Sequence, residues 1–217
     1  MDDQLILAAV ESKRDAALAA HRFVHRHAEL SHEERECARY LCEVLEEAGL
    51  EVERGIAGIE TAFRATLRGA RDGRTVGLVA LYDAVPVFRP DGTIEPVHSC
   101  GHDAISGGVV AAVLALSDLR QDLPGSLVVF GCPGDEIPAP LTVERGGGKA
   151  VTAAAGLWDG VDAALYAHPE FEDTVFLSSR WMRRDRAMVT GTRSLAGEPE
   201  APVDAVLAAV EAVKSLP

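Results

Sequence analysis

Cysteine is sparse in this chain: the four present (Cys37, Cys42, Cys100, Cys132) have none of the dense spacing of a small secreted disulfide scaffold. Reduced thiols and a cytoplasmic location are expected. The N-terminus, Met1-Asp2-Asp3-Gln4, has neither the basic region nor the apolar region of a signal peptide. No window approaches the roughly 18–20 continuous apolar residues of a membrane-spanning helix. Positive charge is also short, with 21 Lys and Arg against 34 Asp and Glu, a net charge of −13. Most of such a surface repels phosphate backbones and anionic lipids, so neither nucleic acid nor a membrane is expected as a partner. Internal repeats and low-complexity tracts are absent.

What is present suits a globular chain with a sizeable core: 217 residues, 47% hydrophobic and 25% charged. Apolar residues recur at helical steps twice in the first 48 residues, through Leu5, Ile6, Val10, Ala17, Ala20 and Val24, then through Cys37, Leu41, Val44, Leu45 and Ala48. Ser31 and Glu34 have capping-box spacing at the start of the second helix, and Gly49 ends it. Short β-prone runs follow at 50–52, 61–67 and 76–82, split by glycines. A small, glycine-containing helix is predicted over 104–119, packed closely on a sheet, then an apolar strand at 126–130, a helix over 147–155 and a buried strand at 163–166. This alternation predicts an α/β fold, a layered sheet with flanking helices. The composition changes near residue 184, where a basic stretch precedes a strand at 187–190 and an amphipathic helix over 201–216. Two domains are expected, 1–184 and the beginning of another at 185–217.

Three short segments at predicted strand ends or helix starts gather the metal-capable side chains, where open α/β sheets bind ligands. In His98-Ser99-Cys100-Gly101-His102-Asp103, Cys100 and His102 lie two apart around a glycine and suit one borderline-soft divalent ion. In Cys132-Pro133-Gly134-Asp135-Glu136, adjacent carboxylates can divide labour as base and ligand, although alone the pair better fits a solvated or helix-capping role. His168, in Tyr166-Ala167-His168-Pro169, fits a satisfied strand-end histidine as well as a ligand. Cys132 reads as a core thiol, and Cys37 and Cys42 as helix residues. His21, His25, His27 and His32 read as ordinary histidines on or between helices. Gly146-Gly147-Gly148-Lys149 lacks the spacing of a phosphate-binding loop and reads as a helix-entry turn.

Taken jointly and in order, these segments resemble the M20 family of zinc-dependent peptidases and amidohydrolases, in its aminoacylase, auxin-conjugate and aminobenzoyl-glutamate hydrolase branch. Residues 25–34 (HRHAELSHEE) resemble that family's helix-turn-helix opening, and Leu81-Tyr82-Asp83-Ala84-Val85-Pro86 its D-A-L-P segment. The hexapeptide at 98–103 is similar to the H-x-C-G-H-D signature, residues 132–136 stand where the family has P-A-E-E, and Ala167-His168-Pro169 matches a ligand segment. The resemblance implies a catalytic domain over 1–184, lacking its C-terminal return, followed by the start of a lid or dimerisation domain at 185–217. In the first, Cys100, His102, Glu136 and His168 would bind one or two zinc or manganese ions. Asp135 would be the general base and Asp83 would orient the site. It also implies a small amide or dipeptide substrate and a homo-oligomer, or a chain that partners a separate C-terminal portion.

Three departures accompany the resemblance. Asp135 stands where the family has glutamate, one methylene longer. The stretch 137–145 is longer and more apolar than that pattern and is expected to shape the substrate pocket. No histidine follows His168, so neither the lid histidine nor the last ligand of longer relatives is present, and residues 191–197 stand where the lid histidine is carried. A non-catalytic homologue acting as a metal-binding or subunit-interaction module is therefore the alternative. A cysteine hydrolase using Cys100 and His102 is a weaker one, since residues two apart on an extended turn seldom face each other. Arg180, Arg183, Arg184 and Arg186 suit either a substrate-carboxylate patch or solvated charges.

Overall fold

The computed structural model describes residues 2–170, together with 174, 190, 209–211 and 214. The chain divides into two compact units, residues 1–171 and 172–217. In the second, the described residues Ala209, Val210, Glu211 and Lys214 are helical, and Lys214 Nζ lies 3.2 Å from Glu211 Oε1. Residues 187–189 of the strand expected at 187–190, all but four residues of the helix at 201–216, and the four arginines lie outside the described residues, and the described Thr190 is in no strand.

The first unit begins with three helices, α1 (Asp3–Glu11), α2 (Arg14–Arg26) and α3 (Arg35–Glu47). Strands β1 (Glu51–Arg54), β2 (Phe63–Arg68), β3 (Arg71–Ala80), β4 (Val85–Phe88) and β5 (Ile94–Val97) follow, then α4 (His102–Asp118), β6 (Pro124–Gly131), α5 (Pro140–Arg145), α6 (Gly148–Ala154) and β7 (Ala163–Leu165). The main sheet runs β1-β2-β6-β3-β7. Its first three strands pair antiparallel, whereas β6, β3 and β7 are parallel and therefore end at one edge. Strands β4 and β5 form a separate hairpin. This is the expected α/β layered sheet with flanking helices.

The continuous apolar run in β6 has a direct cause, because both of its faces are covered. Leu127 and Val129 face a core built with Leu41, Leu45, Phe63, Leu67, Tyr82 and Val113. Val128 and Phe130 face the other side, with Val79, Leu81 and Cys132, where Trp158 stacks on Phe130 at 3.9 Å. Helix α3 supplies the stripe Cys37, Ala38, Leu41, Cys42 and Leu45, all buried on one face as the periodicity predicts. It ends as expected on Gly49, with φ +83° and the Leu50 N–H donating to Leu45 O.

Several local expectations are corrected. The apolar periodicity from Leu5 to Val24 predicts one helix, but the chain breaks at Ser12 and Lys13, within a polar stretch that gives no core anchor. There the Ser12 hydroxyl bonds the Ala9 carbonyl, competing with the helix. Ser31 and Glu34 form no capping box. The carboxylate of Glu29 accepts from the first free amides of α3, Glu36 N–H and Cys37 N–H, at 3.1 and 3.0 Å. In α4 the close approach at Gly107 is to α2 rather than to the sheet, since a Cβ there would lie 2.8 Å from the Ala17 carbonyl oxygen. Strand β7 is exposed rather than buried, for it forms the sheet edge beside β3. An apolar groove lies alongside it, lined by Leu78, Val79, Ile105, Val109, Leu165 and Pro169.

Candidate metal centre

The parallel strands β3, β6 and β7 each run out into a loop at the same edge, and each loop carries one sequence-predicted group: Asp83, the Asp135-Glu136 pair, and His168. Helix α4 starts at this edge, bringing His102 on its first turn and Cys100 just before it. Gly101 makes the turn between them. Its φ is +98° and an added Cβ would meet Pro169 at 2.6 Å, so a side chain here would collide with the loop that carries His168.

One donor atom from each of Cys100, His102 and His168 lies within 4.8 Å of the others. Cys100 Sγ is 3.4 Å from His168 Nε2. The His102 ring is buried and oriented: Nδ1 donates to Asp83 Oδ1 at 2.8 Å, leaving Nε2 free toward Glu136 Oε1 at 3.8 Å and Asp135 Oδ2 at 3.9 Å. Asp83 Oδ2 also accepts from Ser31 Oγ at 2.8 Å and from the Glu136 N–H at 2.7 Å. One buried carboxylate thus fixes a ring from one element and a backbone segment from another. Ser31 is held there because the neighbouring Glu29 carbonyl accepts from Ala84 N–H.

The charges follow from this geometry. Burial opposes ionisation of Asp83, but the hydrogen bonds from His102, Glu136 N–H and Ser31, with the imidazolium charge, hold it below the usual carboxylate range. Burial likewise opposes the imidazolium of His102, and the Asp83 carboxylate outweighs it, raising the ring. Burial pushes Glu136 up. Burial and the Glu136 charge push the Cys100 thiol up to about 12, the opposite of what a cysteine nucleophile needs.

A divalent cation suits these residues. Glu136 Oε1 is buried with no hydrogen-bond partner among the described residues, and it faces the free nitrogen of His102. A thiol, two imidazoles and a carboxylate match the donor preferences of zinc, and a cation would reverse the cost of ionising both Cys100 and Glu136. Asp135 stands beside this set, with Oδ1 engaged by Lys149 Nζ at 2.8 Å.

The remaining histidines do not form one site. His25 Nδ1 bonds Asp103 Oδ2 at 2.7 Å with His21 Nδ1 3.4 Å from the same oxygen, and His27 bonds the Phe23 carbonyl. His32 Nε2 donates to the Gly146 carbonyl oxygen. Cys132 is buried beneath the loop, and Cys37 and Cys42 are buried on α3.

Three further residues bear on the site. Ser31 and Glu34 were visible by their spacing, but both turn inward. Fully buried Glu34 accepts the Gly134 N–H at 2.9 Å and the Thr61 hydroxyl at 3.0 Å, supporting the loop of Asp135 and Glu136 from below. Lys149 lies within the predicted helix-entry turn, and nothing local in the sequence points it at Asp135.

Residues 77–214 match the model of Peptidase family M20/M25/M40. One subunit of the p-aminobenzoyl-glutamate hydrolase of Escherichia coli K12 is 32% identical over 173 residues, covering 75% of this chain and 34% of that protein. The N-acyl-L-amino acid amidohydrolase of Geobacillus stearothermophilus is 29% identical, covering 77% of this chain and 45% of its own. A solved structure of a dinuclear metal-binding M20 peptidase from Bacillus subtilis is 25% identical with a TM-score of 0.62, covering 74% of this chain and 44% of that one. The chain thus spans about a third to a half of the length of these relatives. On the family match and the shared layered fold, this chain belongs to the M20/M25/M40 peptidase family.

Proposed function

We propose that the protein is a metal-dependent hydrolase of amide bonds in N-acyl amino acids or small dipeptide-like substrates. Cys100, His102, Glu136 and His168 would hold one or two zinc or manganese ions. The observation that supports this reading is the convergence of Cys100, His102 and His168 at one sheet edge, with a buried Glu136 oxygen that has no hydrogen-bond partner among the described residues facing the free nitrogen of His102 at 3.8 Å.

A divalent ion held there supplies Lewis acidity, which polarises a carbonyl and acidifies water. The chain's own residues do the rest. Asp83 keeps the proton on His102 Nδ1, which directs Nε2 into the cluster as a donor and fixes its ring. Asp135, at the rim of the donor set, accepts the proton of the attacking water and returns it to the leaving amine. Glu34 holds the backbone of that loop through Gly134. The free thiols agree with a reducing cytoplasm, and we place the working protein there as a homo-oligomer or as the partner of another polypeptide. None of the helices among the described residues is long and apolar enough to cross a membrane.

A second reading, a non-catalytic metal-binding or subunit-interaction module, is favoured by the exposed edge strand β7 and the apolar groove beside it. Hydrolysis of a panel of N-acyl amino acids and dipeptides by the metal-loaded chain separates the two. Turnover lost in Glu136→Ala supports the hydrolase, and metal binding without turnover supports the module.

A further inference from the structure

Two adjacent carboxylates face the same imidazole nitrogen at nearly the same distance, Asp135 at 3.9 Å and Glu136 at 3.8 Å. A cation bound by His102 would attract both, yet a base must keep its lone pair. What distinguishes them is a cation already in the chain. Lys149 Nζ holds Asp135 Oδ1 at 2.8 Å, and nothing comparable engages Glu136 Oε1 among the described residues.

The lysine is itself fixed. Its ammonium sits over the Tyr166 ring, 4.1 Å from the centroid, at the end of β7. Its backbone follows Gly148, whose N–H donates to the Pro133 carbonyl and whose missing Cβ would lie 2.4 Å from that same oxygen. The first turn of α6 is therefore joined to the loop that carries Asp135, and only glycine permits the approach. His32 holds the preceding Gly146 carbonyl from the other side. Both partners of the ion pair are partly shielded, Lys149 at 34% and Asp135 at 22% side-chain exposure.

We propose that Lys149 is a positioning residue that withholds Asp135 from the metal ligand set and keeps its carboxylate at the rim as a free proton acceptor. This rests on the metal-centre reading above. It also gives the shorter Asp135 a physical role where glutamate is the family's residue, because the ion pair anchors it and chain length need not.

The test uses the full chain with zinc and cobalt(II), in wild type, Lys149→Met, Lys149→Arg, Asp135→Asn and the Lys149→Met/Asp135→Asn double variant. Zinc affinity is read by competition with a chelator, and coordination by the visible absorption of bound cobalt. Lys149→Met is expected to bind zinc about tenfold more tightly, since Asp135 joins the ligands, and to weaken the cobalt bands as coordination number rises. Lys149→Arg is expected to restore the wild-type spectrum, and the double variant to match Asp135→Asn. The same tightening in the Asp135→Asn background would overturn the proposal, showing a charge effect alone. An unchanged cobalt spectrum in a folded Lys149→Met chain would overturn it too. Failure of wild type to bind either metal would overturn the metal-centre reading itself, and this inference with it.

Discussion

At the scale of single residues, Asp83 does the most with the least freedom. It accepts from His102, Ser31 and the Glu136 backbone while wholly buried, so replacing it disturbs ring, loop and charge together. Asp83→Asn is expected to weaken divalent metal binding about 10–100-fold, measured by chelator competition, because the His102 tautomer loses its anchor. Glu34 gives a prediction in pH. Burial, then the charge of Asp83, raises its carboxyl from the ordinary 4.5 to about 8, against the hydrogen bonds it accepts. As pH rises between those values the unfolded chain releases this proton and the folded chain keeps it. The contribution therefore lowers stability with pH by up to about 1.4 kcal/mol per unit, then levels off above about pH 8. In metal-free protein, Glu34→Gln is expected to remove that slope in urea unfolding at pH 5 and pH 8. A wild-type slope equal to the variant's would contradict the assignment. Cys100 and His102 were legible in the sequence from their spacing around a glycine, whereas His168, as fit for an ordinary strand-end role, entered the set only through the family resemblance. The partners of Ser31 and Glu34 were not, since capping-box spacing describes a local bond and the actual ones reach 52 and 100 residues along the chain.

At the scale of elements, the site depends on turns that only glycine makes without strain. Gly134 has φ +70° in the loop after β6, and an added Cβ would lie 2.5 Å from His32 Nε2. Gly134→Ala is expected to cost about 1–3 kcal/mol in denaturant unfolding and to weaken metal binding by displacing Asp135 and Glu136. Unchanged stability and affinity would show that the loop does not need this conformation. The strands and helices that build the core were readable, β6 from its apolar run and α3 from its stripe. The break at Ser12 was hidden because apolar spacing continues in phase across it. The exposure of β7 was hidden because a short apolar strand reads alike at a sheet centre and at an edge.

At the scale of the whole molecule, the fold gathers at one sheet edge what the sequence scatters between Ser31 and His168. Parallel pairing of β3, β6 and β7 does this, by pointing three loops the same way. The long helix α4 closes the set with its first turn. The same topology leaves β7 and its apolar groove uncovered by described residues of the first unit, so size-exclusion chromatography with light scattering is expected to show self-association. A strict monomer would count against an interaction role for that face. The central claim is that Cys100, His102, Glu136 and His168 form one metal centre. The direct measurement is zinc and manganese stoichiometry by elemental analysis, for wild type beside Cys100→Ala and Glu136→Ala. The account predicts at least about one ion per wild-type chain, lost in both variants. No metal above background in wild type, or full occupancy retained in the variants, would contradict it.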